Sequence, residues 1–450
     1  MIEKQFIPYN PEQILLLPPD LHDWLPDDHL VYFILDVLQE IDLSSFYKAY
    51  SSNFGRRPYN PKMMVGLLIY AYCIGLTSSR KIEKACLDSV PFRILTSDRK
   101  PDHDTIAAFR AKQLKSLSII FMEVLELCNK SGLLRLGNIS IDGSKMRANA
   151  SKHKAMSYDR MEKAVPELEK EIDDLLKEAE KVDAFEDAKY GKGKRIDELP
   201  NDLKNRKSRL EKIRRAKNDL EKEALERQEE QLKKEKEAGK ARKSKRKNKD
   251  KATVPKPKVQ KNFTDPESKI MMDGATKAFR QGYNSQIAVD SKNQIILVSH
   301  VTNQANDKQQ IIPVIEKLNK SIPSAKGCSI TADAGYFSDE NIKYLEKDYD
   351  PYIATGRMKR EKEVLSVRGR LKKNATPKEK MARKLRTKMG KNIYKMRKAI
   401  VEPVFGHIKQ CQGIRNFRLR GIENVSYEWD FICATHNLLK LFRYGAIGIN

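Results

Sequence analysis

The sequence predicts an α/β protein with a mixed sheet flanked by helices, preceded by an all-helical N-terminal domain and interrupted by a long helical-hairpin insertion. Three observations support this prediction. Residues 1 to about 130 show helical periodicity, with capping residues at the starts of the apolar stretches. From residue 262 onward, short apolar strands alternate with amphipathic helices. Between these parts lies a highly charged segment whose apolar residues recur at four- and three-residue steps.

The N-terminal region contains three stretches with helical periodicity, "NPKMMVGLLIYAYCIG", "SSRKIEKACLD" and "DHDTIAAFRAKQL". Asn60 before Pro61 supplies one N-terminal capping signal, and Asp104 or Thr105 supplies another. Several short helices joined by turns fit both a helix-turn-helix-like DNA-binding module and a plain helical bundle.

The sheet is expected to begin in "GNISIDGSK", with the first strand ending at Asp142-Gly143. Later, "GYNSQIAVD" and "NQIILVSHVT" predict a hairpin, and "GCSITADAGYF" predicts a buried strand that ends at Asp333. The charged segment is expected to be an antiparallel helical hairpin with a narrow apolar seam. We therefore divide the chain into a helical N-terminal domain (1–130), which is a candidate DNA-binding domain, the first part of the sheet domain (131–156), the hairpin insertion with a basic linker (157–261), and the rest of the sheet domain (262–450) with a basic loop (356–393).

The positive charge of the chain is concentrated in two runs. Residues 239–261 hold eleven Lys/Arg and one Asp, and residues 356–398 hold eighteen Lys/Arg and three Glu. These runs account for 25 of the 26 net positive charges, so the remainder is close to neutral. Two dense basic runs separated by globular sequence favour a polyanionic partner, above all nucleic acid, over disordered self-repelling linkers.

Several classes of protein are disfavoured by the sequence. The start, "MIEKQFIPYN", has no apolar core of a secretory signal, and the longest apolar run, residues 63–76, is too short to span a bilayer comfortably. The six cysteines show neither CxxC spacing nor a zinc-finger pattern with histidine. We therefore expect a protein with no membrane partner, located in a reducing cytoplasm.

Three carboxylates stand out by position. Asp142 and Asp333 each end a predicted strand, and Glu402 lies on a predicted helix after the second basic run. Singly they fit a turn residue, a helix cap and a surface charge. Adjacent strands can bring both aspartates together, and a helix on the sheet can add the glutamate. Three carboxylates repel one another unless a cation is present, and hard oxygen ligands suit Mg²⁺ or Mn²⁺.

Two lysines lie near Glu402 along the same predicted helix. Lys398 precedes Glu402 by four residues, and Lys409 follows it by seven, so all three share one helical face. Basic groups beside a metal-binding carboxylate are suited to hold a phosphate. Ordinary ion pairing on a helix surface is the alternative explanation.

At these residues the chain resembles the DDE transposases of bacterial insertion sequences, which have an RNase H-like catalytic core. The resemblance is greatest to the insertion-sequence family numbered eleven eighty-two, a relative of the family numbered four. It covers nearly the whole chain. It rests on "GRRPYNPKMMVGLLIYAYCIGLTSSRKIEKAC" and "PDHDTIAAFR" in the N-terminal region, and on "ISIDGSKMRANAS", "TADAGYFSDEN" and "RKAIVEPVFGHIKQCQGIRNFRLRG" around the three carboxylates.

The resemblance implies that Asp142, Asp333 and Glu402 form a triad that is both catalytic and metal-binding, with Lys409 as a DNA contact. It implies Mg²⁺ or Mn²⁺ as the cofactor, with two ions at the site.

The wider family pattern has an arginine four residues before the glutamate and a tyrosine three residues before that. Here those positions hold Lys398 and Lys395, whereas Arg397 and Tyr394 sit one position away. We therefore expect a DNA contact from Lys398 or Arg397.

The expected function is that of a transposase. It would bind the terminal inverted repeats of a mobile element, cut a DNA strand, and join the freed 3′-hydroxyl to target DNA. The resemblance implies double-stranded DNA as the partner, a homodimer in the DNA complex, and a nucleoid-associated, cytoplasmic location in a bacterium. Two alternatives are an RNase H-like nuclease that cuts without joining and a non-enzymatic DNA-binding coiled-coil protein.

Overall fold

The computed structural model describes residues 20–48, 50, 57–190, 201–237, 254–274, 277–356 and 374–445. Most of the first basic run and part of the second lie outside these residues. The chain divides into two compact units, residues 1–133 with 434–450 and residues 134–433. The division falls within the last helix, whereas the sequence-based bounds assign that whole helix to the sheet domain.

The first unit is helical in its described residues. Its helices are Leu30–Glu40 (α1), Ser44–Lys48 (α2), Pro61–Cys73 (α3), Ser79–Asp88 (α4), Val90–Thr96 (α5), His103–Lys112 (α6) and Leu114–Lys130 (α7).

Helix α3 contains most of the longest apolar run of the sequence. Asn60 caps its start by accepting a hydrogen bond from the Lys62 N–H at 2.8 Å, and Pro61 occupies the first turn. Nearly all of its side chains are buried, which is the arrangement expected of a core helix that is apolar on every side. No helix in the described part of the chain is long and apolar enough to cross a membrane.

The second unit is a mixed α/β structure with one large sheet and one small one. Its strands are Asn138–Arg147 (β1), Ala155–Ser157 (β2), Gln260–Asn262 (β3), Lys269–Met272 (β4), Phe279–Asp290 (β5), Ile296–Thr302 (β6), Ser329–Ala332 (β7) and Asp350–Ile353 (β8). In the large sheet, β6, β5 and β1 are antiparallel neighbours, and β7 and β8 continue from β1 as parallel strands. The short strand β4 pairs with the start of β5. The predicted hairpin of β5 and β6 is confirmed.

The strand that carries Asp142 differs from the prediction. Asp142-Gly143 was expected to end the strand, but β1 continues to Arg147 and Asp142 lies in its middle. The reason is a long-range partner, because Gly143 pairs with Gln286 on β5. A Cβ atom at Gly143 would stand 2.1 Å from Gln286 Nε2, so the glycine makes room for a neighbouring side chain and does not form a turn.

The helices of the second unit lie between and after these strands. They are Tyr158–Tyr190 (α8), Asn201–Glu237 (α9), Ile311–Ser321 (α10), Asp339–Leu345 (α11), Pro377–Arg386 (α12), Lys388–Gly406 (α13) and Ile422–Arg443 (α14), the last of which extends into the first unit.

Helices α8 and α9 form the predicted antiparallel hairpin. Ion pairs join Glu171 to Arg206 at 3.0 Å and Glu162 to Lys217 at 3.9 Å, so the two helices run in opposite directions. A narrow buried seam holds the two helices together, as the apolar spacing predicts. The seam consists of Tyr158, Met161, Leu168, Ile172, Leu210, Ile213, Ala216 and Leu220. The small β2–β3 sheet closes the base of the insertion.

The basic loop predicted over residues 356–393 is corrected in its second half, which is helical. Helix α12 starts at Pro377 after a capping box, in which Thr376 Oγ1 accepts from the Glu379 N–H and Glu379 Oε2 accepts from the Thr376 N–H. Met381 and Leu385 are buried one turn apart and fix the helix against its neighbours. The helix was not predicted because charged residues dominate this run and its amphipathic pattern is short.

One glycine of the large sheet provides a test of this fold. Gly282 pairs with both β1 and β4, and a Cβ atom there would stand 2.6 Å from the Met146 carbonyl oxygen. Because a strand backbone yields little, Gly282→Ala is expected to lower the free energy of unfolding by about 1–3 kcal/mol, as overpacking does. Thermal and urea unfolding of the full chain measures this. Gly137→Ala is the matched control because no atom lies within 4 Å of its Cβ position. Equal stability of the two variants would contradict the assigned register.

Candidate active site

The register of the large sheet brings Asp142 and Asp333 together. Ser140 on β1 pairs with Thr331 on β7 in the parallel direction, and their hydroxyl oxygens are 2.7 Å apart. Asp142 and Asp333 each follow two residues later, so they lie on the same face of neighbouring strands. Neighbouring strands are about 4.8 Å apart, which places the two carboxylates side by side.

Asp333 sits directly after strand β7, where the sequence predicts it. Its backbone is still extended, and its Oδ1 accepts a hydrogen bond from the Gly335 N–H at 2.8 Å. Asp333 therefore does act as a cap on the turn that follows. Since this bond uses only one carboxylate oxygen, the cap and a ligand role are compatible. Helix α11 has its own cap in Ser338.

A further carboxylate near this pair was missed by the sequence reasoning. Asp307 lies in the loop between β6 and α10. Burial is the main cause that raises the pKa of Asp142 and of Tyr336, and the charge of Asp307 adds to both shifts. A signal for it was present in β5, where Asn284 and Gln286 interrupt an apolar strand on one face. Both are fully buried, and buried amides require partners.

Asp142 is the most perturbed carboxylate of the centre. Burial is the main cause that raises its pKa to about 6, and the charges of Asp333 and Asp307 add to the rise. The Arg397 guanidinium and the Gly143 N–H oppose it. Because burial outweighs the opposing groups, the ionised carboxylate of Asp142 is destabilised, and a bound cation would relieve this.

Arg397, and not Lys398, faces the aspartates. Arg397 Nη1 donates to Asp142 Oδ2 at 3.1 Å, and the guanidinium carbon lies 5.9 Å from the centre of the Tyr394 ring. Arg397 is 8 % exposed, whereas Lys398 is on the solvent side of α13. The rotation of α13 therefore places Arg397 and Tyr394 at the site. These two residues stand one position away from the wider family pattern.

Lys409 also reaches the face of β1 that carries Asp142. It lies in the π-helical turn His407–Cys411, and its Nζ donates to Ser144 Oγ and to the Lys145 carbonyl oxygen. Burial lowers the pKa of Lys409 from its usual value. Ser144 is two residues beyond Asp142 on the same strand and therefore on the same face.

Glu402 is exposed on α13, five residues and about 7.5 Å along the helix axis beyond Arg397. Among the described residues, no three Asp, Glu, His or Cys side chains lie close enough to hold a metal ion. The described structure thus brings together Asp142, Asp333 and Arg397, and Glu402 does not complete a three-carboxylate group with the aspartates.

The donor chemistry still fits a hard divalent cation in part. Two adjacent carboxylates offer the oxygen ligands that Mg²⁺ and Mn²⁺ prefer.

Comparison with known families specifies the class of protein. Residues 19–112 match the family model described as transposase domain (DUF772), and residues 250–438 match the model described as transposase DDE domain. These matches support an insertion-sequence transposase of the DDE class. The second match includes Asp333 and Glu402 but begins at residue 250, within the basic linker of the insertion, so Asp142 lies outside it. Neither curated proteins nor solved structures gave a match to the chain.

Proposed function

We propose that the chain is a DNA transposase that binds the terminal inverted repeats of a mobile element, cuts a DNA strand and joins the freed end to target DNA. One observation carries the proposal: the β1–β7 register sets Asp142 beside Asp333 in a chain that matches two transposase family models. The strand order β6-β5-β1-β7-β8, antiparallel in its first half and parallel in its second, supports an RNase H-like core.

Each residue of the centre has a proposed role. Asp142 and Asp333 hold the cation, and Glu402 is the third donor on the strength of the family resemblance alone. When bound, Mg²⁺ or Mn²⁺ activates the attacking oxygen and stabilises the leaving oxygen of the phosphodiester. Arg397 and Lys409 flank the aspartates and are suited to hold the DNA phosphates in place.

Metal binding is expected to depend on pH because Asp142 must be ionised to bind a cation. Its pKa is raised to about 6, so the carboxylate is protonated below that pH and charged above it. Affinity for Mn²⁺ should therefore be constant above pH 7 and fall by about tenfold per pH unit below pH 6. Calorimetric titration between pH 5 and 8 measures this. An affinity that does not change over that range would contradict the assignment of Asp142.

DNA binding is expected to be strongly salt-dependent because the positive charge is concentrated in two runs. Helix α12 carries three exposed cations, Lys378, Lys380 and Arg386. Changing all three to Gln should reduce the slope of log affinity against log salt by up to about 3 units. Fluorescence anisotropy with labelled DNA measures the slope.

The matched control for that experiment changes three exposed lysines of the insertion, Lys170, Lys212 and Lys222, to Gln. Net charge falls equally in both variants, so only a local role of α12 predicts different slopes. Identical slopes would show that α12 does not contact the phosphates.

A strand-transfer assay distinguishes the proposed transposase from a nuclease that cuts DNA without joining it. A labelled donor end is incubated with target DNA and Mg²⁺, and joined product is expected. Cleavage without joined product would favour the nuclease. A non-enzymatic DNA-binding protein would instead show the same behaviour for the wild type and for Asp333→Asn.

Pairing of two DNA ends by a protein dimer is also proposed, with the α8–α9 hairpin as the candidate contact.

A further inference from the structure

Asp307 is held more firmly than a loop carboxylate normally is. Its Oδ1 accepts hydrogen bonds from Lys145 Nζ at 3.0 Å, Asn284 Nδ2 at 2.6 Å and Gln286 Nε2 at 2.8 Å. Three donors on one oxygen fix both the position and the orientation of the side chain. Because Lys145 lies on β1 and the two amides on β5, the loop is tied to both strands.

The amides that hold Asp307 also connect it to the end of β7. Gln286 Nε2 donates to Asn284 Oδ1 at 3.0 Å, and Gln286 Oε1 accepts from the Tyr336 hydroxyl. Tyr336 is fully buried and lies three residues after Asp333. The Gln286 side chain occupies the space that Gly143 leaves on β1, since any side chain there would meet it. The position of Asp307 is thus linked to both strands that carry the aspartate pair.

The second oxygen of Asp307 lies in the neighbourhood of Asp333. The Cβ position of Gly335 lies 3.8 Å from Asp307 Oδ2 and 3.0 Å from Asp333 Oδ1, so both carboxylates border this glycine. All three donors described above bind Oδ1, which leaves Oδ2 available. A carboxylate oxygen other than that of Glu402 is therefore present near Asp333.

We propose that Asp307 is a positioning residue of the Asp142–Asp333 centre, with Oδ1 fixing the polar network and Oδ2 accepting a hydrogen bond from a water of the hydrated cation held by Asp333. The inference rests on the proposed function. Carboxylates that bind the ligands of a metal, and not the metal itself, orient those ligands and raise the affinity of the site.

The test compares Asp307→Asn with the wild-type full-length chain. An asparagine keeps an oxygen that accepts the three donors but removes the charge and places an N–H₂ group where Oδ2 stood. Mn²⁺ affinity measured by calorimetry is expected to fall about 10- to 100-fold, with a thermal midpoint close to that of the wild type. In DNA cleavage the apparent Mn²⁺ constant should rise by the same factor, whereas kcat at saturating Mn²⁺ should change little.

Two further variants separate this role from a purely structural one. Asp307→Glu retains the charge and should recover part of the Mn²⁺ affinity. Asp350→Asn is the matched control because Asp350 also pairs with a lysine, Lys384, but lies on β8 away from the centre. It should bind Mn²⁺ as the wild type does.

Wild-type Mn²⁺ affinity in Asp307→Asn, with or without a loss of thermal stability, would overturn the inference while leaving the proposed function intact. A wild-type chain that neither binds Mn²⁺ nor cuts DNA would overturn the proposed function, and the inference with it.

Discussion

Replacing Asp333 by Asn is expected to reduce DNA strand cleavage by about a thousandfold, or ~4 kcal/mol in the activation free energy. The substitution removes one of the two adjacent carboxylates but keeps an oxygen that accepts from the Gly335 N–H, which is the structural bond of the native side chain. Folding should therefore be preserved while cation binding is lost. Single-turnover cleavage of labelled DNA gives the rate, and thermal unfolding gives the stability.

The control for this prediction is Asp348→Asn, which removes a half-exposed carboxylate paired with Lys326 on the same unit. Surface changes of this kind alter stability by less than about 0.5 kcal/mol and should leave cleavage unchanged. If Asp333→Asn retained a rate within threefold of the control, Asp333 would be a cap and nothing more.

Replacing Arg397 by Ala is expected to have the second-largest effect, because the Arg397 guanidinium is nearly buried against Asp142. Breaking such a pair leaves a buried carboxylate without its counter-charge, which costs about 3 kcal/mol of stability. The loss also removes a group that lowers the pKa of Asp142, so the carboxylate is protonated over a wider pH range and binds a cation less well at pH 7. We expect kcat/KM for cleavage to fall by about a hundredfold.

Lys398→Ala is the matched comparison, since Lys398 is the next residue on the same helix but faces solvent. Its removal should change stability by less than about 0.5 kcal/mol and cleavage by only a few-fold. The opposite order, with Lys398 critical and Arg397 dispensable, would show that the wider family spacing holds here and that the rotation of α13 is wrong.

Local patterns in the sequence were sufficient for elements whose partners are close in the chain. The β5–β6 hairpin, the seam of the α8–α9 hairpin and the strand before Asp333 all follow from apolar periodicity and turn residues, and all are present. Periodicity depends only on residues that are close in the chain, so it can be recognised without knowledge of the tertiary structure.

Features that depend on distant partners could not be predicted in the same way. Asp142-Gly143 has the local signature of a turn, and only the approach of Gln286 from β5 explains why the strand continues. The choice between Arg397 and Lys398 depends on how α13 is rotated against β1, which the spacing along one helix does not fix. Asp307 lies in a loop without periodicity, and its role appears only when its three donors are in place.

At Glu402 the role implied by the family resemblance differs from the position of the side chain in the structure. The motif around it resembles that of the family, yet its side chain is exposed and completes no three-carboxylate group with the aspartates in the described residues. Two negative charges already repel each other at Asp142 and Asp333, so a third carboxylate gains nothing by joining them without a cation. Metal binding is therefore the event expected to draw Glu402 to the pair.

The central claim is that Asp142 and Asp333 form one cation-dependent centre that cuts and joins DNA. It is tested most directly by incubating the full-length chain with Mg²⁺, target DNA and labelled DNA carrying the element's own ends, beside the Asp333→Asn variant. The predicted result is Mg²⁺-dependent cleavage at the end together with joined product, both absent from the variant. Cleavage and joining that persist in the variant, or that proceed unchanged when EDTA replaces Mg²⁺, would contradict the claim.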